Sequence, residues 1–123
     1  MRILESAENY LETILILKKR LGQVRSIDIA TELSFSKPSV SVAMKNLRNN
    51  GYIEVNADGY ITLLDKGREI AEKIYERHTL LTDWLIALGV SADVAAEDAC
   101  RIEHVSSAET FEVLKAHTSK KTL

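Results

Sequence analysis

Cys100, Glu103 and His104 stand at i, i+3 and i+4 of the stretch Asp98–His104, so on an α-helix their side chains leave one face. A thiol, a carboxylate and an imidazole converging in this way can hold a divalent transition metal. His78 can face the same point from the long helix that precedes the stretch. Glu12, and Glu8 one turn before it, are further candidates on the first helix. His117, near the end of its helix, reads as a surface residue. The competing reading makes Cys100 a small core residue and leaves Glu103 and His104 in solvent. Other chemistries lack their patterns. There is no Cys-x-x-Cys for a structural zinc, and Glu103 and His104 are adjacent, which does not make the His-Glu-x-x-His of a zinc peptidase. A glycine-rich phosphate loop and a Gly-x-Ser-x-Gly elbow are also absent. A small metal-dependent hydrolase would lack both a base and a nucleophile motif, and the chain reads as a non-enzyme.

The elements that must position these residues follow from periodicity and punctuation. Glu5–Leu21 reads as an amphipathic helix carrying Tyr10, Leu11, Ile14, Leu17 and Leu21, with Ser6 as an early cap and Gly22 as its end. Ser26 is expected to cap a short helix, Ile27–Leu33, whose Ile27, Ala30 and Leu33 form one face. After the connector Ser34–Ser36, Ser36 is expected to cap a helix reaching about Asn50. Pro38 stands in its first turn, where a missing N–H costs nothing, and Gly51 ends it. Two helices joined by so short a turn predict a helix-turn-helix. Tyr52–Val55, the turn-rich Asn56–Gly59 and Tyr60–Leu63 then predict a hairpin, the wing of a winged helix.

Lys66–Leu88 reads as a long helix ended by Gly89, and its second half is too apolar for a solvated face in so small a protein. Leu81, Trp84, Leu85 and Leu88 are therefore expected to form a homodimer surface, the alternative being packing against the helices that follow. Ser91 is expected to cap Ala92–Val105, the helix with the thiol, carboxylate and imidazole. Ser107 is expected to cap a last helix, Ala108–His117, before a polar tail. The fold class is mainly α with a small β-hairpin. Residues 1–65 form a winged helix-turn-helix and residues 66–123 a helical metal-binding and dimerisation domain.

With 123 residues, 46% hydrophobic and 28% charged, the chain can bury a core and is not disordered by composition. The net charge of −2 excludes a globally basic nucleic-acid binder. Yet Lys18–Arg48 carries seven basic residues against Asp28 and Glu32, and from Gly67 onward the balance is seven basic to ten acidic. A basic stripe beside an acidic remainder suits phosphate contact by one part only. On the helix after the turn, Val40, Met44 and Leu47 should be buried. Lys37, Ser39, Val42, Lys45, Asn46 and Arg48 then face outward. The lysines and arginine suit phosphates or guanine edges, and Val42 suits a thymine methyl. Ser36 and Pro38 open this helix toward the DNA, and Arg25 and the wing can hold the backbone. A single cysteine forms no internal disulfide, which points to a reducing, cytoplasmic setting. The apolar run Leu80–Val90 falls well short of the roughly 20 residues that span a bilayer. The N-terminal residues show no leader pattern.

A winged helix followed by Tyr75-Glu-Arg-His78 and by Asp98-Ala-Cys-Arg-Ile-Glu-His104 resembles the diphtheria toxin repressor family of metal-dependent transcriptional repressors. The likeness covers nearly the whole chain, and Cys-Arg-x-Glu-His is its most specific signature. It implies a homodimer activated by metal to bind a palindromic operator in double-stranded DNA. By position it implies His78, Cys100, Glu103 and His104 as ligands, with Glu12 and Asn9 from helix one. Cys100 matches the iron-responsive branch and Glu12 the manganese-responsive branch; Asn9 matches neither. Thr82 and Ala96 replace residues that complete a second metal site in the iron branch. The donor set favours Fe(II), then Mn(II), with Co(II), Ni(II) or Zn(II) as substitutes. A winged-helix regulator answering to a small organic ligand or to oxidation of Cys100, without metal, is the rival reading.

Overall fold

The structure, a computed structural model, describes residues 5–121, with side chains from Ser6 to Thr118. Residues 1–4, part of the stretch read above for a leader, lie outside the described residues. The elements are α1 (Glu5–Leu21), α2 (Ser26–Leu33), α3 (Lys37–Asn49), β1 (Ile53–Val55), β2 (Ile61–Leu63), α4 (Asp65–Ala87), α5 (Ala92–Val105) and α6 (Ala108–Lys121). This is the mainly α architecture with one small hairpin. The chain divides into two compact units, Met1–Lys73 and Ile74–Leu123, with the division inside α4.

The first unit is built on α1, whose Leu11, Ile14 and Leu17 are buried with Ile29 and Ala30 of α2, Val40, Met44 and Leu47 of α3 and Ile53, Ile61 and Leu63 of the hairpin. Each large aliphatic side chain fully withdrawn from water contributes about 1.5–3 kcal/mol, so this cluster fixes α2 and α3 on α1. Between α2 and α3 the chain turns sharply. Ser34 adopts a left-handed conformation (φ 57°) and the Phe35 N–H donates to the Ala30 carbonyl at 3.1 Å. Ser36 then caps α3, its Oγ accepting from the Ser39 N–H at 3.3 Å, with Pro38 in the first turn as expected.

β1 and β2 pair antiparallel, Ile53 with Leu63, Glu54 with Thr62 and Val55 with Ile61. Asn56 closes the turn, its side-chain oxygen accepting from the Asp58 N–H at 3.0 Å and the Tyr60 N–H at 2.9 Å. The hairpin is tied to the segment before α2 by the Ile61 N–H, which donates to the Val24 carbonyl at 2.7 Å. Gly67, in the first turn of α4, lies against Tyr52. A Cβ there would sit 2.2 Å from the Tyr52 carbonyl oxygen, so only glycine fits.

In the second unit Ile74 and Leu81 of α4, Ala95 and Ala99 of α5 and Phe111 of α6 are buried. Gly89, at φ 111°, ends the turn after α4, and the Val90 N–H reaches back to the Leu85 carbonyl at 3.0 Å. α6 starts as expected, with Ser107 Oγ accepting from the Thr110 N–H at 3.1 Å.

Several local expectations are corrected. Ser6 lies inside α1 rather than capping it. α2 begins at Ser26, and the residue at its N-cap is Arg25, whose backbone N–H donates to the Asp28 carboxylate at 2.9 Å. A carboxylate in the first turn thus satisfies the N-cap N–H from inside the helix and sits where the helix dipole favours a negative charge. Ile27 is 45% exposed, because the face of α2 turned to α1 is Ile29 and Ala30, with Leu33 half-buried. Ser91 stands at the N-cap of α5 without a side-chain cap bond. α6 continues to Lys121, so His117 is an exposed residue within the helix. Leu81 is 0% exposed in the single chain, since with Ile74 it lines the inner face of α4 at a seven-residue interval. Of the surface expected for a partner, Trp84 and Leu85 are half-buried and Leu88 is 62% exposed. Among the described residues no helix is long and apolar enough to cross a membrane.

Candidate metal centre and nucleic-acid interface

α5 is a helix of good formers, Ala-rich, with Asp93 in its first turn where the helix dipole favours a negative charge. Its buried stripe is Ala95, Ala99 and Glu103, four residues apart each time. A carboxylate therefore occupies a position where the pattern calls for an apolar side chain. Glu103 has 0% exposure, and burying a carboxylate is costly unless partners or a cation compensate it.

The partners are two histidines. His78 Nδ1, from α4, lies 3.0 Å from Glu103 Oε2, and His104 Nε2 lies 3.5 Å from Glu103 Oε1. Oε1 makes no hydrogen bond among the described residues. Cys100, one turn earlier, offers its Sγ to the same point. The thiol, a Glu103 oxygen and a His104 ring nitrogen all lie within 4.8 Å of one another. Donors bonded to one transition metal at about 2.0–2.3 Å stand roughly 3–4.5 Å apart, so the three residues fit a metal ion without refolding. The buried, hydrogen-bond-free Oε1 is the atom such an ion would satisfy. His78, Cys100, Glu103 and His104 are thus gathered within the second unit, and the alternative in which Cys100 is mere core while Glu103 and His104 face solvent does not hold for Glu103. His104 is also withdrawn, its side chain 2% exposed.

Among the residues expected on helix one, Glu12 is 4% exposed on α1 and Asn9 is half-buried one turn earlier, with its carbonyl accepting from Thr13 Oγ1 at 2.8 Å. Glu8 is half-buried on the same helix. Thr82 and Ala96 are half-buried, and Thr82 Oγ1 makes no hydrogen bond among the described residues.

A residue not anticipated from sequence stands beside the cluster. The Arg77 guanidinium donates to the Glu103 carbonyl at 3.2 Å and lies 5.0 Å from the Phe111 ring centroid. Next to it, Glu76 accepts from Lys115 Nζ at 2.6 Å. That hydrogen bond first, and the carboxylate charge second, raise the Lys115 amine above its ordinary 10.5.

The outward face of α3 in the first unit is as expected: Lys37, Ser39, Val42, Lys45, Asn46 and Arg48 are all exposed, Val42 at 61%. Ser36 Oγ donates to Ser39 Oγ at 2.8 Å, so both hydroxyls are held at the N-terminus of α3. Two cations border the hairpin on aromatic faces, Arg25 at 4.4 Å from the Tyr60 centroid and Lys66 at 4.3 Å from that of Tyr52. The role of the two tyrosines and Lys66 was not read from sequence, although their position at the strand starts and the hairpin exit could have suggested it. A cavity of about 250 Å³ opens between Ser26, Ile27, Lys37 and Ser41. Arg20, counted in the basic stripe, is engaged at 2.5 Å by Glu32.

Residues 2–60 match the N-terminal DNA-binding domain of iron-dependent repressors, and residues 64–121 match their metal-binding and dimerisation domain. Transcriptional regulator MntR of Escherichia coli O157:H7 is 34% identical over 116 residues, 94% of this chain and 75% of that protein. The chain belongs to the diphtheria toxin repressor family of metal-dependent transcriptional regulators. The regulator is also 35% identical over 99 residues to HTH-type transcriptional regulator MntR of Geobacillus kaustophilus strain HTA426, 80% of this chain and 70% of that protein. Among solved structures, the manganese regulator SloR superposes with a TM-score of 0.80 at 28% identity, over 97% of this chain and 55% of that one. A manganese-dependent transcriptional repressor in complex with manganese gives 0.82 at 26% identity, over 90% and 51%. The regulator therefore spans little more than half the length of those two structures.

Proposed function

We propose that this chain is a metal-activated transcriptional repressor of metal homeostasis that binds a palindromic operator as a homodimer. Residues 1–65 read the DNA, and residues 66–123 hold the metal and dimerise. The observation that carries this reading is the buried Glu103 carboxylate between His78 and His104, with Cys100 in reach, in a chain whose α3 presents a polar and basic face. Cys100, Glu103 and His104 would hold the ion, which supplies the positive charge that a buried carboxylate calls for. His78 and Glu12 complete the ligand set in this reading, and Asn9 is a candidate only through the family position it holds. The exposed Leu88, with Trp84 and Leu85, gives the partner chain an apolar surface.

Two recognition helices on one face of DNA must stand about 34 Å apart, so anything that fixes their separation raises operator affinity. A metal bound preferentially to the competent dimer shifts the population by its difference in affinity for the two states, and a few kcal/mol suffices. Lys37, Lys45 and Arg48 meet phosphates or guanine edges, while Arg25 and the wing hold the backbone. The preferred ion is Fe(II), with Mn(II) next, because Cys100 is a soft donor and Glu12 a hard one. The setting is the cytoplasm, where a thiol ligand stays reduced.

Anaerobic calorimetric titration of the reduced chain with Fe(II), Mn(II) and Zn(II), beside Cys100→Ala and Glu12→Ala, tests the metal assignment. Fe(II) binding lost in Cys100→Ala supports the iron preference. Mn(II) binding that survives Cys100→Ala and depends on Glu12 reverses it. Binding of none of the three ions leaves a winged-helix regulator with a different signal.

A further inference from the structure

The metal ligands occupy an unfavourable part of their helix. Cys100, Glu103 and His104 all fall within the last six residues of α5, and the last four carbonyls of a helix have no partners within it. Ends of this kind fray, and a frayed end would disperse three donors that must lie within a few ångströms of one point. The Ser106 N–H covers the Ile102 carbonyl at 3.0 Å. The Glu103 carbonyl is covered by Arg77, whose cationic group also opposes the negative end of the α5 dipole. Arg77 is itself packed from the other side, its guanidinium 5.0 Å from the Phe111 ring centroid. It also precedes His78 directly in α4. One side chain thus ties the main chain of the central ligand to the helix carrying the fourth donor and to α6.

We propose that Arg77 is a positioning residue for the metal centre, clamped by Phe111, which keeps the last turn of α5 wound and so preorganises Cys100, Glu103 and His104. This rests on the metal reading above. α6 then contributes to metal affinity through Phe111 without offering a ligand, and loosening α6 from α4 is a route by which affinity is lowered. The Lys115–Glu76 pair fastens the same two helices one residue away and acts in the same direction, though exposed pairs contribute little.

The test uses Co(II) as the probe, titrated anaerobically into the full chain, because thiolate ligation gives it a charge-transfer absorption that reports Cys100 directly. Arg77→Met keeps the aliphatic length and removes donor and charge; Arg77→Lys restores the charge; Phe111→Leu removes the ring. Removing an outer-shell partner of a ligand costs on the order of 10–100-fold in metal affinity. The expected result is a loss of about ten-fold or more in Arg77→Met, partial recovery in Arg77→Lys and an intermediate loss in Phe111→Leu. The thiolate band per bound ion should fall in Arg77→Met, a change that general loosening of the fold would not single out. The metal-free far-ultraviolet circular dichroism of the two Arg77 variants should match that of the parent. If Arg77→Met loses its helix content, Phe111→Leu and Arg77→Lys carry the test. Parental affinity and band intensity in the folded variants overturn the positioning role alone. Failure of the parent chain to bind Co(II) overturns the metal reading and this inference with it.

Discussion

Replacing Glu103 by glutamine separates what its buried charge costs from what metal binding contributes. Glu103 is 0% exposed, one oxygen lies 3.0 Å from His78 Nδ1, and the other makes no hydrogen bond among the described residues. A buried polar atom left unsatisfied costs about 1–3 kcal/mol, and more when charged. Glutamine has almost the same shape, offers His78 an acceptor and His104 a donor, and carries no charge. The metal-free Glu103→Gln chain should therefore be no less stable than the parent in urea. The filled site behaves oppositely. At a free metal concentration 100 times the dissociation constant, binding stabilises the parent by about 2.7 kcal/mol. At roughly 3–5 °C per kcal/mol for a chain of this size, the midpoint should rise by roughly 10 °C. Glu103→Gln should show almost none of that rise with the same ion at the same concentration. Urea unfolding without metal measures the first, and differential scanning calorimetry at fixed protein concentration, with and without Co(II), measures the second. A metal-free variant less stable than the parent by more than about 1 kcal/mol would refute the idea that the carboxylate is held at a cost. A variant that keeps the full metal shift would refute Glu103 as a ligand.

Gly67→Ala should destabilise the first unit by about 1–3 kcal/mol or more in urea unfolding, because its Cβ would meet the Tyr52 carbonyl oxygen at 2.2 Å, an atom of the backbone. Lys45→Ala or Arg48→Ala should each weaken binding to all duplexes alike and reduce the slope of log affinity against log salt by about one, whereas an unchanged slope would place that residue off the phosphates. Val42→Ala should instead lower discrimination at one base position by about 1 kcal/mol at constant salt slope, as a selection of bound sequences before and after would show. Metal affinity should fall as the solution is acidified, since a thiol and imidazoles must give up protons to ligate, and calorimetry in buffers of different ionisation heat should record proton release.

The sequence disclosed the parts whose signal is local. Ser36 with Pro38, the Asn56–Gly59 turn and the apolar spacing of α1 each state a backbone preference within a few residues, and the structure follows them. The i, i+3, i+4 spacing likewise placed Cys100, Glu103 and His104 on one face of α5. What escaped depended on distant neighbours. Ile27 and Ile29 look alike in sequence, and only the position of α1 decides that Ile29 is buried and Ile27 exposed. Leu81 belongs to the same apolar run as Leu88, but the first lies on the inner stripe of α4 and the second past its end. Arg77 stands in the motif beside His78 with no role legible there, because its partners, Glu103 and Phe111, are 26 and 34 positions away. Tyr52 and Tyr60 read as strand residues, and their service as platforms for Lys66 and Arg25 exists only once the hairpin closes.

Affinity alone will not name the activating ion. Any site of nitrogen, oxygen and sulfur donors binds Fe(II) more tightly than Mn(II), and Zn(II) more tightly than either. Cys100 steepens that order, because a thiolate gains most from the softer ions. The ion that activates is the one whose geometry draws the ligands into the DNA-competent arrangement, so the comparison must be made at equal saturation. Operator affinity measured with each ion at 100 times its own dissociation constant removes the difference in binding strength and leaves the difference in coupling. Fe(II) giving the tightest DNA complex under those conditions, with Zn(II) bound but less effective, is the outcome expected if Cys100 is among the donors. Equal DNA affinity with all three ions would mean that the donor set admits metals without choosing among them.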